Sequence, residues 1–175
     1  MVAQTTKLLG VVIDYKLNWN DHVSATVKAA SYRLYMLRRL KSLGVPATEL
    51  RNLYRTFILP KLTYASPAWS SSLTVTQLCK LERVQKRAVK IIQGPDYNNY
   101  DSSLSLLELD PLTAVYQQLL TNFANNLLLN LLPPAAPRPQ RLLRTHNKLC
   151  PIRARTERYK RSPVPSMVSM INNTD

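Results

Sequence analysis

His146 and Cys150 stand four residues apart, a spacing that can bring an imidazole and a thiolate to one side of a zinc ion. A tetrahedral zinc site needs four ligands, and no second pair at comparable spacing occurs, so neither a metal nor any other cofactor is expected. Cys79, the other cysteine, reads as a small buried hydrophobe. His22 falls in the first turn of a predicted helix with no nucleophile or orienting acid in its pattern, so it reads as a helix residue and not as a general base. The acids are scattered, with no close carboxylate pair to hold a catalytic metal. Three glycines are too few for a glycine-rich phosphate loop, and neither Gly-x-Ser-x-Gly nor His-Glu-x-x-His is present. Catalysis is therefore not expected, and the catalytic and metal-ligand sets are empty.

What the chain has in abundance is positive charge. It carries 24 Lys and Arg against 10 Asp and Glu, a formal net charge of +14 in 175 residues. Such a field favours polyanions, nucleic acid first and an anionic membrane surface second. The stretch "LERVQKRAVKII", residues 81–92, concentrates it. At about 100° per residue Leu81, Val84, Ala88, Ile91 and Ile92 share one helix face with Leu78, while Lys80, Arg83, Lys86, Arg87 and Lys90 line the other. Glu82 is the only acid there. By itself the row fits either a solubilising face or a face laid against phosphates. Aromatic residues that could stack on bases are Tyr32, Tyr35, Tyr54, Tyr64 and Trp69; Tyr54 and Phe57 sit on a periodic apolar face and are expected in the core. In the tail, Tyr159 lies between Arg158 and Lys160, an alternation that suits single strands or simply a solvated basic arm.

These side chains must be held by a mainly α fold, a small helical bundle with a short N-terminal β element and a basic, largely irregular C-terminal tail. "KLLGVVIDYKL" reads as a strand or hairpin arm around Gly10. Asn20 or Asp21 is placed to cap a helix whose apolar residues Val23, Val27, Ala30, Leu34, Leu37 and Leu40 run toward Gly44. Pro46 and Thr48 open a second helical pattern with Leu50, Leu53, Tyr54, Phe57 and Ile58, and Pro60 should kink or end it. Pro67 disfavours helix at Ser66. The basic helix follows, closed by Gly94 and Pro95. Asp110 and Pro111 open a fourth, with Val115, Leu119, Leu120, Phe123, Leu127 and Leu128. From "LLPPAAPRPQ" onward proline and arginine dominate and no helical period survives. The predicted division is 1–18, 19–132 and 133–175. No secretory signal and no uncharged apolar run of membrane-spanning length is read, so an intracellular protein, nuclear or cytoplasmic and without a membrane partner, is expected.

The order of four blocks, "KLLGVVIDYKLNWNDHV", "ASYRLYMLRRLKSLG", "LRNLYRTFILPKLTYASPAWSS" and "LERVQKRAVKIIQG", resembles the segment after the polymerase palm in reverse transcriptases of jockey-like non-LTR retrotransposons. The closing "RTERYKRSPVPSMVSMINN" is similar to the end of the reading frame in one clade of these elements, so the likeness runs from about Thr6 to Asn173. It implies a remnant of the palm edge at 1–18, with Leu9, Gly10 and Val11 on the strand beside the primer grip. It implies a thumb-like helical domain at 19–132 that holds a template–primer hybrid by its backbone. Carried over by position, Arg33, Arg38, Arg39 and Lys41 fall in the first thumb helix, and Arg83, Lys86, Arg87 and Lys90 in the later basic one.

The departures shape the expectation. The polymerase's Tyr-x-Asp-Asp block is absent from these residues, so phosphoryl transfer, which needs those metal-binding carboxylates, is not expected of this chain. "QQLLTNFANNLLLNLLPP" is neutral where the family tends to be basic, so the fourth helix is not expected to touch nucleic acid. The resemblance thus implies a non-catalytic fragment that binds RNA, DNA or an RNA–DNA hybrid through phosphates, without reading sequence. Two alternatives stand beside it. One is a helical interaction module whose exposed apolar face docks the missing palm or another protein. The other is a relic of a retrotransposon with no function.

Overall fold

The computed structural model describes residues 4–128, 149 and 151–173. It is mainly helical, with a two-stranded antiparallel sheet near the N-terminus, as the sequence predicts. The chain packs as two compact units, one of Met1–Ala65 with Leu73–Val115, the other of Ser66–Ser72 with Tyr116–Asp175.

The first unit opens with a hairpin. Strand β1 (Thr5–Leu8) pairs with β2 (Val11–Asp14) in the register Thr5–Asp14, Thr6–Ile13, Lys7–Val12 and Leu8–Val11. Leu9 and Gly10 make the two-residue turn with φ of 46° and 86°. Positive φ at both central positions matches the right-handed twist of the strands. The Tyr64 hydroxyl donates to the Leu9 carbonyl at 2.8 Å and ties the turn to the helices. Only β2 packs inward, through the buried Val11.

Helix α1 (Asn20–Ser42) begins differently from the expectation. Neither Asn20 nor Asp21 caps it with its side chain. Trp19 stands at the cap position in a left-handed conformation (φ 61°), and the Asp14 carboxylate accepts the Lys16, Asn18 and Trp19 amides at 2.8, 2.8 and 3.1 Å. The Asn20 amide oxygen is occupied elsewhere, accepting from Gln77 Nε2 at 2.7 Å. The far end follows expectation. Gly44 (φ 85°) lets its own N–H reach the Lys41 carbonyl and the Val45 N–H reach that of Leu40, the paired bonds of a Schellman end.

Helix α2 (Ala47–Leu53) runs through a π-turn at Tyr54–Ile58 into α3 (Leu59–Thr63). Pro60 lacks an N–H and crowds the carbonyl four residues back, and the wider turn ahead of it absorbs both defects. The chain therefore stays helical past Pro60 instead of ending there. Leu50, Tyr54, Ile58 and Leu62 are wholly buried, whereas Phe57 is 42% exposed, a correction to its expected place in the core. The inserted residue of the π-turn shifts Phe57 off the buried face, and its ring is covered by the Arg33 guanidinium at 4.3 Å.

Helix α4 (Val75–Gln93) starts at a capping box, with Thr74 Oγ1 accepting the Gln77 amide and Gln77 Oε1 accepting that of Thr74. It packs on α1, and its Leu81, Val84, Ala88, Val89 and Ile92 are all buried. Two further helices follow, the second of them in this unit only as far as Val115. Helix α5 (Tyr100–Leu106), absent from the sequence reading, starts at Asn99, whose side chain accepts the Ser102 amide. Helix α6 (Leu112–Phe123) starts one residue after Pro111, whose carbonyl accepts the Val115 N–H. Buried Gln85 donates to the Asp110 carbonyl at 2.7 Å and holds the entry to that helix.

In the second unit Trp69 and Tyr116 meet edge to face with centroids 5.5 Å apart. Part of the expected irregular tail is helical: α7 (Glu157–Lys160) begins at a Thr156 cap, and α8 (Pro163–Asn172) carries prolines in its first turn, where no N–H is needed. Met167 packs with Leu120 and Ala124, and Asn172 brackets the Leu149 backbone with two hydrogen bonds. These contacts, not a local helical period, order the segment. Residues 129–148, with His146, and Cys150 lie outside the described residues.

Candidate nucleic-acid interface

The buried residues of α4 fix where its cations go. With Leu81, Val84, Ala88 and Ile92 buried, the positions between them turn outward, and Lys80, Arg83, Lys86, Arg87 and Lys90 are all exposed. None of the five is ion-paired to a described residue, and the one acid of the helix, Glu82, accepts a hydrogen bond from the Tyr100 hydroxyl. Burial and the Glu82 carboxylate push the Tyr100 phenol above its usual range, so it remains a neutral donor. Two rings lie under the row: the Lys86 ammonium stands 4.7 Å from the Tyr100 centroid and that of Lys90 5.0 Å from Tyr97. They hold the lysine stems in place while the charges stay in water.

Helix α1 meets this face at its C-terminal half. A hollow of about 640 Å³ lies between the two helices, lined from α1 by Ser31, Leu34, Tyr35, Arg38 and Lys41, and from α4 by Arg87, Lys90 and Ile91, with Gly94 beyond. Four cations and no acid therefore face one concave space. Lys41 is half-buried and donates to the Ile92 carbonyl at 3.0 Å, where a cation also complements the C-terminal dipole of α4. Arg38 and Arg87 have no partner among the described residues and present whole guanidinium groups. Four like charges held close repel one another unless an anion is drawn in.

The four basic residues read together on α1 do not act together. Arg38 and Lys41 line the hollow, and Arg39 is exposed but lines neither hollow described here. Arg33 lies on another flank, donating to the Phe57 carbonyl, and with Lys7, Lys61, Gly10, Pro60 and Tyr64 it bounds a smaller hollow of about 310 Å³. The α4 row divides likewise: Arg87 and Lys90 enter the groove, while Lys80, Arg83 and Lys86 continue along the open face. Arg158, Tyr159 and Lys160 are exposed on α7 in the second unit, where Lys160 pairs with Glu157 at 3.6 Å.

Among the proposed stacking residues, Tyr54 and Trp69 are buried and unavailable, whereas Tyr32, Tyr35 and Tyr64 are exposed. Cys79 is exposed on α4, a correction to its expected burial: it falls beside Lys80 on the outward side of the helix. His22 is buried, and its Nδ1 accepts the Val12 N–H at 3.3 Å. The roles of Tyr97 and Tyr100 beneath the lysines were not read from sequence; aromatic residues just past a basic helix are the signal that carried them. Among the described residues no group of three or more His, Cys, Asp or Glu could hold a metal, and no helix is long and apolar enough to cross a membrane. No family model, curated protein or solved structure matches the chain.

Proposed function

We propose that this chain binds nucleic acid through its phosphates, without reading sequence, as a non-catalytic, thumb-like segment related to retrotransposon reverse transcriptases. The observation that carries the reading is the acid-free groove where Arg38 and Lys41 of α1 face Arg87 and Lys90 of α4, continued along α4 by Lys80, Arg83 and Lys86. Each cation offers N–H donors to phosphate oxygens, and each neutralised phosphate releases counterions. Arg39, Arg33 and the tail residues Arg158, Tyr159 and Lys160 add charge around that face. RNA, DNA and a hybrid all offer the backbone this chemistry needs.

The test is fluorescence anisotropy of a labelled RNA–DNA hybrid titrated with wild type and with Arg83→Glu/Arg87→Glu. The expected result is at least about a tenfold loss in the variant, the size of one charge-assisted contact or more. Equal binding by both proteins would contradict the reading.

A second reading, a docking surface for a polymerase palm or another protein, is favoured by the hairpin. Leu8, Leu9 and Leu17 are exposed, and every residue of β1 is on the surface. Docking there would survive the same charge reversals.

A further inference from the structure

The groove between α1 and α4 is more than a row of charges. Beside the cations its lining includes Leu34, Ile91 and the ring of Tyr35, and its volume of about 640 Å³ falls within the range of about 300–1,000 Å³ typical of pockets for small organic ligands. Tyr35 is 64% exposed and Tyr32, one turn earlier on the same helix, is 73% exposed. No cation–π or ring contact to either is found among the described residues, so neither ring is engaged by another ring or a cation and each keeps most of its surface exposed. A tyrosine left this exposed loses its apolar contact area to water unless something flat lies against it.

A rigid duplex can lay phosphates on the cations, but its bases are stacked and paired inside the helix and cannot enter the groove. An unpaired nucleotide can use both parts of the lining. Its base would lie on Tyr35 above Leu34 and Ile91, and its flanking phosphates would reach Arg38 on one wall and Arg87 and Lys90 on the other. Tyr32 then offers the next stacking surface along the strand. We infer that the α1–α4 groove takes an unpaired nucleotide, so that a single strand, not a duplex, is the preferred ligand of this face. The inference rests on the nucleic-acid reading above and narrows it.

The experiment compares a labelled single-stranded RNA with an RNA–DNA hybrid of the same length, at one salt concentration, by anisotropy on the full chain. Wild type, Tyr35→Ala, Tyr35→Phe and Tyr15→Ala are titrated; Tyr15 is a comparably exposed tyrosine outside the groove. Stacking of one base is expected to make Tyr35→Ala lose roughly 5- to 100-fold on the single strand while changing little on the hybrid. Tyr35→Phe, which keeps the ring, should bind as wild type, and so should Tyr15→Ala. An unchanged single-strand affinity in Tyr35→Ala, or an equal loss on both ligands, would overturn the inference while leaving phosphate binding in place. If wild type bound neither ligand, the nucleic-acid reading and this inference would both fall.

Discussion

At the scale of single residues, burial decides which chemistry each side chain can do. His22 was expected to be structural, and its surroundings make it so: the imidazole sits in the core seam of hairpin and helix with Nδ1 accepting a backbone N–H. Burial first, and the Lys61 ammonium second, disfavour its charged form and hold it below the ordinary value of 6.5. The sign follows. Above the unfolded-state value both states are neutral and the His22 contribution is fully present. As pH falls below about 6.5 the unfolded chain binds a proton that the folded one refuses, and stability is lost toward the lower folded value. Urea unfolding between pH 7.5 and 5 should show a decline of up to about 1.4 kcal/mol per pH unit, absent in His22→Gln. A wild type and variant with the same pH dependence would contradict this. Phe57 and Cys79 carry the opposite lesson: each has the composition of a core residue, and neither is in the core, because a π-turn and a helix phase set their direction.

Among the elements, those with a strong local rule were legible. The period of three and four located α1 and α4, Gly44 marked one end and Gly94 the other, and the apolar cluster around Gly10 gave the hairpin. What escaped has a non-local cause. The cap of α1 comes from Asp14, whose chain reaches forward four and five residues, while Gln77 draws Asn20 away from capping. The helix α8 is held by Met167 against residues more than forty positions earlier. The groove was only half legible: one helix phase gave the α4 row, but which α1 cations face it depends on the packing of α1 on α4. The hairpin turn yields a test. Leu9 is 84% exposed and holds a left-handed φ of 46°, a conformation that costs a branched apolar residue about 1–2 kcal/mol. Leu9→Asn, giving the Asn-Gly pair that such turns favour, should stabilise the chain by about 1 kcal/mol in urea unfolding. A neutral or destabilising result would mean that the exposed leucine makes a contact important to the fold.

For the whole molecule the governing quantity is the net charge of +14, shared equally between residues 1–132 and 133–175 at +7 each. Charge that dense repels itself in the folded state, and a polyanion relieves the repulsion. The folded helices sort part of it into one groove whose lining holds no acid. Whether that face binds phosphates is tested most directly by the salt dependence of affinity for one RNA–DNA hybrid, measured for wild type and for Arg87→Glu/Lys90→Glu. Binding by the groove predicts that log affinity falls linearly with log salt at a slope of about −3.6 or steeper for four contacted phosphates. It predicts a slope shallower by about 1.8 when two of those contacts are reversed. A wild-type slope near zero, or one the double variant leaves unchanged, would contradict it and return the basic face of α4 to the role of a solvated surface.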